Sequence, residues 1–351
     1  MSHRPAILAP SGLARLLATL AISGLGLGGS AAAATIHVHA DGSGDAPTLA
    51  AGLAVAVQGD VVLASAGIYL EHDLQLKPGV ALRSESGRDL TTLDIQLLGD
   101  GVIGADGATF QGFTLIHSGG LGHMAVRCID TSPAILDNRF LNSTWFDVFL
   151  GRSTSEVAGN EFVLSPANAG FAMLDLNSSA AWIHDNVFLA NDPGGNVSAI
   201  EVTDTAPGGP GPATRIVDNT IHGRVFLEVL PRPVRTEVAR NVIVIQNGFS
   251  EALNIASDVH AWLHHNTIVG GGGVFMQGSG NDVLLDHNIV GFGNTGIEWA
   301  STGVIQLDCN DVYGAGQPYL GTPPGKTDFA ADPLFCDGAH LDYHLAAGSP
   351  C

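Results

Sequence analysis

Between residues 135 and 312 one phrase of apolar and polar positions recurs eight times: an apolar residue, two variable positions, an Asn, one variable position and a second apolar residue. The asparagines are Asn138, Asn160, Asn186, Asn219, Asn241, Asn266, Asn288 and Asn310, spaced 22, 26, 33, 22, 25, 22 and 22 residues apart. Three positions before each stands Ile135, Val157, Ile183, Ile216, Val238, Leu263, Leu285 or Leu307; two positions after it stands Phe140, Phe162, Phe188, Ile221, Ile243, Ile268, Val290 or Val312. Units of this length cannot each enclose a core. They bury their apolar residues by stacking, so the pattern predicts a solenoid of coils about 4.8 Å apart along the strand-pairing direction. The chain must bend between the strands that flank the Asn. Asn tolerates left-handed backbone geometry and its amide both donates and accepts, so the bend is placed at the Asn and the column is read as an internal amide ladder.

The rest of the chain fits around this array. Residues 36–38 start a strand, and the Ala-rich stretch 48–57 reads as a short helix covering the open end of the core. Residues 60–115 supply early coils without the Asn, with Gly112 standing in the turn position 26 residues before Asn138. The expected organisation is one all-β domain of about ten coils, with residues 35–70 as an N-terminal cap, 71–312 as coils and 313–351 as a C-terminal cap.

On these motifs the chain resembles the right-handed parallel β-helix proteins of the pectate lyase type. Its beginning, Asp41-Gly-Ser-Gly-Asp, Pro47-Thr-Leu-Ala-Ala-Gly-Leu and Gly59-Asp-Val-Val-Leu with Gly67-Ile-Tyr69, is similar to the entry module of secreted bacterial members. Its end, Ala331-Asp-Pro-Leu-Phe335 and Asp342-Tyr-His-Leu-Ala-Ala-Gly-Ser-Pro350, is similar to their exit module. The resemblance implies that the Asn ladder follows the second strand of each coil and that the first strand faces the substrate. Fold and activity are separate questions in such a scaffold. Only Lys77 and Lys326 are lysines, neither in a regular coil, and no Arg-Ile-Lys or Gly-His-Gly triplet is present. A lysine-based lyase is therefore disfavoured, and no complete catalytic signature of a subgroup stands in the chain.

Composition narrows the setting. Residues 1–34 read as a secretory signal peptide: Arg4 and Arg15 precede an apolar run from Leu16 to Leu27 that is too short to span a bilayer, and Ala31–Ala34 supplies small residues for cleavage. Export to the periplasm, cell surface or medium is expected. Removing the segment deletes two Arg and no acid, taking the formal charge from −20 to −22. That argues against nucleic acid or an anionic membrane as partner, and a monomer is expected. Of the four cysteines, Cys309, Cys336 and Cys351 lie close enough in sequence to suggest a disulfide among them, while Cys128 reads as a core thiol.

Function is sought on the outside. Along the first strands, alternation with apolar inward residues leaves an outward column of Arg127, Asp147, Asp175, Glu201, Glu228, Asn254, either Met276 or Gln277, and Glu298. Four successive carboxylates about 5 Å apart repel by about 3 kcal/mol per neighbouring pair at a dielectric of about 20, and need a cation, an Arg or a raised pKa to compensate. Calcium, which takes several oxygens in irregular geometry, is the metal expected on Asp147, Asp175, Glu201 and Glu228. The longest coil spacings surround Asp175 and Glu201, with extra residues at 165–170, 191–196 and 204–212. Glu228 is followed by Leu230-Pro-Arg-Pro-Val-Arg235. Glu201, Glu228, Arg232 and Arg235 are thus the candidate catalytic set, the arginines holding a uronate carboxylate or, as the resemblance implies, taking a proton from the sugar. A second outward column, His264, Asp286 and Asp308 with His265 and His287 beside it, has metal-ligand chemistry. Trp145 is a candidate sugar platform, whereas Trp182 and Trp262 recur at one repeat position and are read as cover for the sheet. Two functions stay open: a secreted protein that binds, and as lyase or glycoside hydrolase cleaves, an extracellular polysaccharide, or a non-catalytic surface rod for adhesion or spacing.

Overall fold

The computed structural model describes residues 33–120, 122–166, 172–190, 197–203, 213–228, 235–246 and 251–351. They form a right-handed parallel β-helix of about eleven turns. First and second strands of every coil wrap into one 21-stranded sheet, and third strands make an 11-stranded sheet. A representative coil runs Ala172–Asn177, Trp182–His184, Val187–Leu189. Its strands pair in parallel with Val148–Gly151, Glu156–Ala158 and Glu161–Val163 of the coil before. Near the C-terminal end the first two strands of a coil fuse, as in Val274–Asp286 and Thr295–Asp308. The chain closes with an antiparallel hairpin of Phe335–Asp337 and Asp342–Leu345.

Periodicity fixes the interior. Ile135, Val157, Ile183, Ile216, Val238, Leu263 and Leu285 are fully buried on the second strands, and Phe140, Phe162 and Phe188 stack on the third, with ring centroids 4.8 and 4.4 Å apart. All eight repeat asparagines are buried. From Asn138 onward each backbone N–H and each Nδ2 donates to Oδ1 of the next Asn, at 2.9–3.3 Å for the first pair and 3.0–3.1 Å for Asn288 to Asn310. The Phe113 N–H closes one end on Asn138 Oδ1 at 3.0 Å, and Asp328 Oδ1 accepts from Asn310 at 2.9 Å at the other. A buried polar column is stable because every member is satisfied.

The bend differs from expectation in one respect. The left-handed residue is the one before the Asn: Asp137, Gly159, Asp185, Asp218, Arg240, His265, His287 and Cys309 have φ between 52° and 66°. The Asn is freed from that strain to keep its amide in the ladder. Gly112, with φ 83°, accordingly aligns with Asp137, and Phe113 takes the Asn place. The expected cap is present as a helix over Leu49–Val55, its first turn closed by the Thr48 side chain accepting from the Ala51 N–H at 3.0 Å, and Leu49 and Leu53 seal the core. Cys128 is a core thiol, pushed up to about 12 by burial. The anticipated bridge among Cys309, Cys336 and Cys351 is not formed, and the Cys351 thiol lies 2.9 Å from Asp311 Oδ2. The stretch read as a signal peptide lies, up to residue 32, outside the described residues.

Candidate functional site

Strand register sets which outward side chains meet. The first-strand column is Arg127, Phe149, Asp175, Glu201, Phe226, Asn254, Phe275 and Glu298. Two expected members are displaced by two residues. Asp147 precedes Phe149 and is buried, and Glu228 follows Phe226, beside Thr203 instead of Glu201. Alternation determines which face a residue occupies but not its height along the strand, and a slip of two keeps the face while changing every neighbour. Met276 points inward, and Phe275 is the true rung.

The row of four carboxylates is therefore a pair, Asp175 and Glu201, on adjacent strands. Phe149 and Phe226 stand directly before and after it. Each carboxylate sits between inward aliphatics that are fully or almost fully buried: Leu174 and Leu176 around Asp175, Ile200 and Val202 around Glu201. Burial, and secondarily the charge of Glu201, pushes the Asp175 carboxyl up to about 7. Glu201 is also raised, chiefly by burial, with Arg224 opposing the shift and Glu228 adding to it. The pair is thus asymmetric: Glu201 has a guanidinium working to ionise it, Asp175 does not. Arg224 is held by Ser198 Oγ, 3.1 Å from its Nε, and its Cζ lies 5.8 Å from the Phe226 ring.

The other expected residues are elsewhere. Arg235 precedes the second strand Thr236–Ala239 and forks onto Asp282 at 2.8 and 2.9 Å, so it neutralises that carboxylate and does not stand beside Glu201. Arg232 lies outside the described residues, as do most of the extra residues expected beside the pair. Arg127 is paired with Asp100 at 2.5 Å. Asp147 accepts from Ser143 Oγ, itself 2.7 Å from Ser118 Oγ, and burial pushes its carboxyl up to about 7.

The donor set does not fit calcium. The four carboxylates are not assembled, and of the two that meet Asp175 is pushed by burial toward its protonated form, whereas calcium takes about six to eight oxygens, many of them ionised. Among the described residues no three His, Cys, Asp or Glu side chains group to hold a metal. In the second column His264 instead contacts Glu237 at 3.1 Å and His265 at 3.1 Å, and Asp286 pairs with His287.

Sequence reasoning missed the aromatic flank. Its signal was there: Val-Phe-Leu occurs at 148–150 and again at 225–227, each Phe caught between two fully buried aliphatics and so forced outward.

No family model and no curated protein matches the chain. Among solved structures it is similar to the A-module of a mannuronan C-5 epimerase of Azotobacter vinelandii (15% identity, covering 78% of this chain and 91% of that one, TM-score 0.43). A pectate lyase (13%, 92% and 91%, 0.41) and a pectin methylesterase from carrot (13%, 72% and 81%, 0.37) are also similar. Likeness at this level adds nothing to the fold that the strand register already defines.

Proposed function

We propose that the protein is an exported enzyme that hydrolyses a polysaccharide held on its first-strand face, with Asp175 as proton donor and Glu201 as its ionised partner. The observation that carries this reading is the asymmetric pair: two adjacent half-buried carboxylates between Phe149 and Phe226, Asp175 raised to about 7 and Glu201 raised by burial with the Arg224 guanidinium acting against that rise. Glycosidic cleavage requires a carboxylic acid that still holds its proton near neutrality and a carboxylate that does not. Asp175 passes its proton to the glycosidic oxygen as the C–O bond breaks. Glu201 stabilises the positive charge that develops at the sugar, and the attacking water gives up its proton to a carboxylate of the pair. The phenyl rings on either side suit the C–H faces of sugar rings and exclude water.

Hydrolysis is preferred to elimination because the pair offers an acid and no strong base, and Arg235 is already committed to Asp282. The test is release of reducing ends, against release of unsaturated ends, from a panel of neutral and acidic glycans. Asp175→Asn and Glu201→Gln should each abolish reducing-end release. Binding by wild type without either product would leave the face a glycan-binding surface on a non-catalytic rod.

A further inference from the structure

The outer face of the second strands carries one side-chain arrangement twice. In register along the rod stand Glu156, Trp182, Arg215, Glu237 and Trp262. Trp182 stacks on His184 with ring centroids 3.9 Å apart and planes at 27°; Trp262 stacks on His264 with the same separation and angle. His184 Nε2 lies 3.1 Å from Glu156 Oε1 on the coil before, and His264 Nε2 lies 3.1 Å from Glu237 Oε1 on the coil before. Between the copies Arg215 places its guanidinium 5.7 Å from the Trp182 ring while its Nε donates to Glu237 Oε2 at 2.6 Å. The two indoles remain 42% and 37% exposed.

Covering a sheet does not require this. A side chain that merely shields strands needs neither a planar ring fixed by an imidazole nor a carboxylate fixing the imidazole, and leaving two indoles in water forfeits the area they could bury. We infer that this face is a second glycan-binding site, distinct from the Asp175 and Glu201 pair, and that it takes a neutral polysaccharide chain laid along the rod. Each indole presents a flat apolar surface to the C–H face of a pyranose, and His, Glu and Arg215 at its edge can hydrogen-bond the hydroxyls. Trp182 and Trp262 are three strand spacings apart, about 14 Å, so one ligand engages both only if it is a polymer running parallel to the axis.

Charge chooses the class of polymer. The carboxylates of the column are already met by His184, His264 and Arg215, and the adjoining turns add Asp185 and Asp218, only the latter paired with an arginine, Arg240 at 2.7 Å. In a chain of formal charge −20, every arginine named on this face among the described residues is already paired with a carboxylate, so a uronate polymer is disfavoured.

The inference is independent of hydrolysis at the first-strand face, and its test keeps them apart. Binding is measured calorimetrically with hexasaccharides of β-1,4-glucan, β-1,4-xylan, β-1,4-mannan and β-1,3-glucan, and with hexagalacturonate as the acidic control. At least one neutral hexasaccharide should bind, more tightly than hexagalacturonate. Made in the Asp175→Asn, Glu201→Gln background so that the titrant is not cleaved, Trp182→Ala and Trp262→Ala should each weaken the binding step that depends on these indoles about tenfold, and together they should abolish that step. Trp182→Phe with Trp262→Phe keeps planar rings and the fold, and should retain part of the affinity if the alanine variants prove unstable. Failure of all four neutral ligands to bind, preference for hexagalacturonate, or unchanged affinity in the double variant would each overturn the inference.

Discussion

Asp175 and Glu201 are direct register partners on neighbouring parallel strands, and the next residues along the same column are Phe149 on one side and Phe226 on the other. Two carboxylates meet between aromatic neighbours, and among the described residues Glu201 has an arginine acting on it and Asp175 does not. A parallel β-helix makes such a juxtaposition rigid, because every rung is tied to the next by strand hydrogen bonds and by the Asn ladder beneath.

The proposed chemistry has a defined pH dependence. Asp175 must be protonated to act, and its carboxyl titrates at about 7, so kcat/KM should fall as pH rises through that value. Asp175→Asn should lower kcat by about 100-fold or more and remove that limb of the profile. Initial rates between pH 5 and 9 check this; activity that climbs steadily above pH 8 would indicate a base-driven reaction and not hydrolysis.

The ladder makes a stability prediction. In Asn241→Leu the buried Asn219 N–H loses its acceptor, Asn241 Oδ1 at 3.0 Å, and Ile216 O loses the Nδ2 donor at 2.8 Å. A buried group left unpaired costs about 1–3 kcal/mol, so the substitution should destabilise the fold by about 2–4 kcal/mol. Denaturant unfolding measures it, with an exposed control such as Val187→Leu expected to change little.

The fold was legible because one constraint repeats. Each of eight coils needs an inward apolar residue, a satisfied buried amide and a second inward residue, and a sequence that repeats that triad has few other ways to bury it. Finer features escaped for identifiable reasons. Asn tolerates a left-handed bend, yet the bend falls on Asp137, Arg240 or His287, since buried hydrogen bonding outweighs the cost of moving a strained backbone to the preceding exposed residue. Alternation placed Asp147 and Glu228 on the right face and at the wrong height. Arg235 reaches Asp282, 47 residues away, a contact set by stacking that no local pattern encodes. Phe149 and Phe226 were visible but passed over, because an outward Phe resembles an ordinary core residue until its neighbours on both sides are known to point inward.

Calcium gives a direct check on the site. With Asp147 buried, Glu228 offset and Asp175 favouring its proton, no cluster among the described residues is arranged to bind the ion preferentially in the folded state. Millimolar calcium should shift the melting temperature of the wild type and of Asp175→Asn with Glu201→Gln equally. A larger shift in the wild type would restore a calcium role for the pair.

Asp147 supplies the clearest linkage between burial and pH. Its carboxyl is enclosed, accepts from Ser143 and is pushed from 3.8 up to about 7 by burial. A folded-state value above the unfolded one means that the folded protein binds more protons between about pH 4 and pH 7, so stability from this group is full below pH 4 and is lost as pH rises to about 7. Above that the loss is constant, at most about 4 kcal/mol for a shift of this size. Asp147→Asn keeps the shape and an acceptor for Ser143 but carries no charge at any pH. The stability of the variant relative to wild type should therefore rise from pH 4 to pH 7 and then level off, whatever constant offset the amide introduces. Asp175 imposes the same trend in both proteins and cancels from the difference. Denaturant unfolding at pH 4, 5.5, 7 and 8.5 measures that difference, and a flat line across the series would mean that Asp147 ionises freely and is not enclosed as the structure has it.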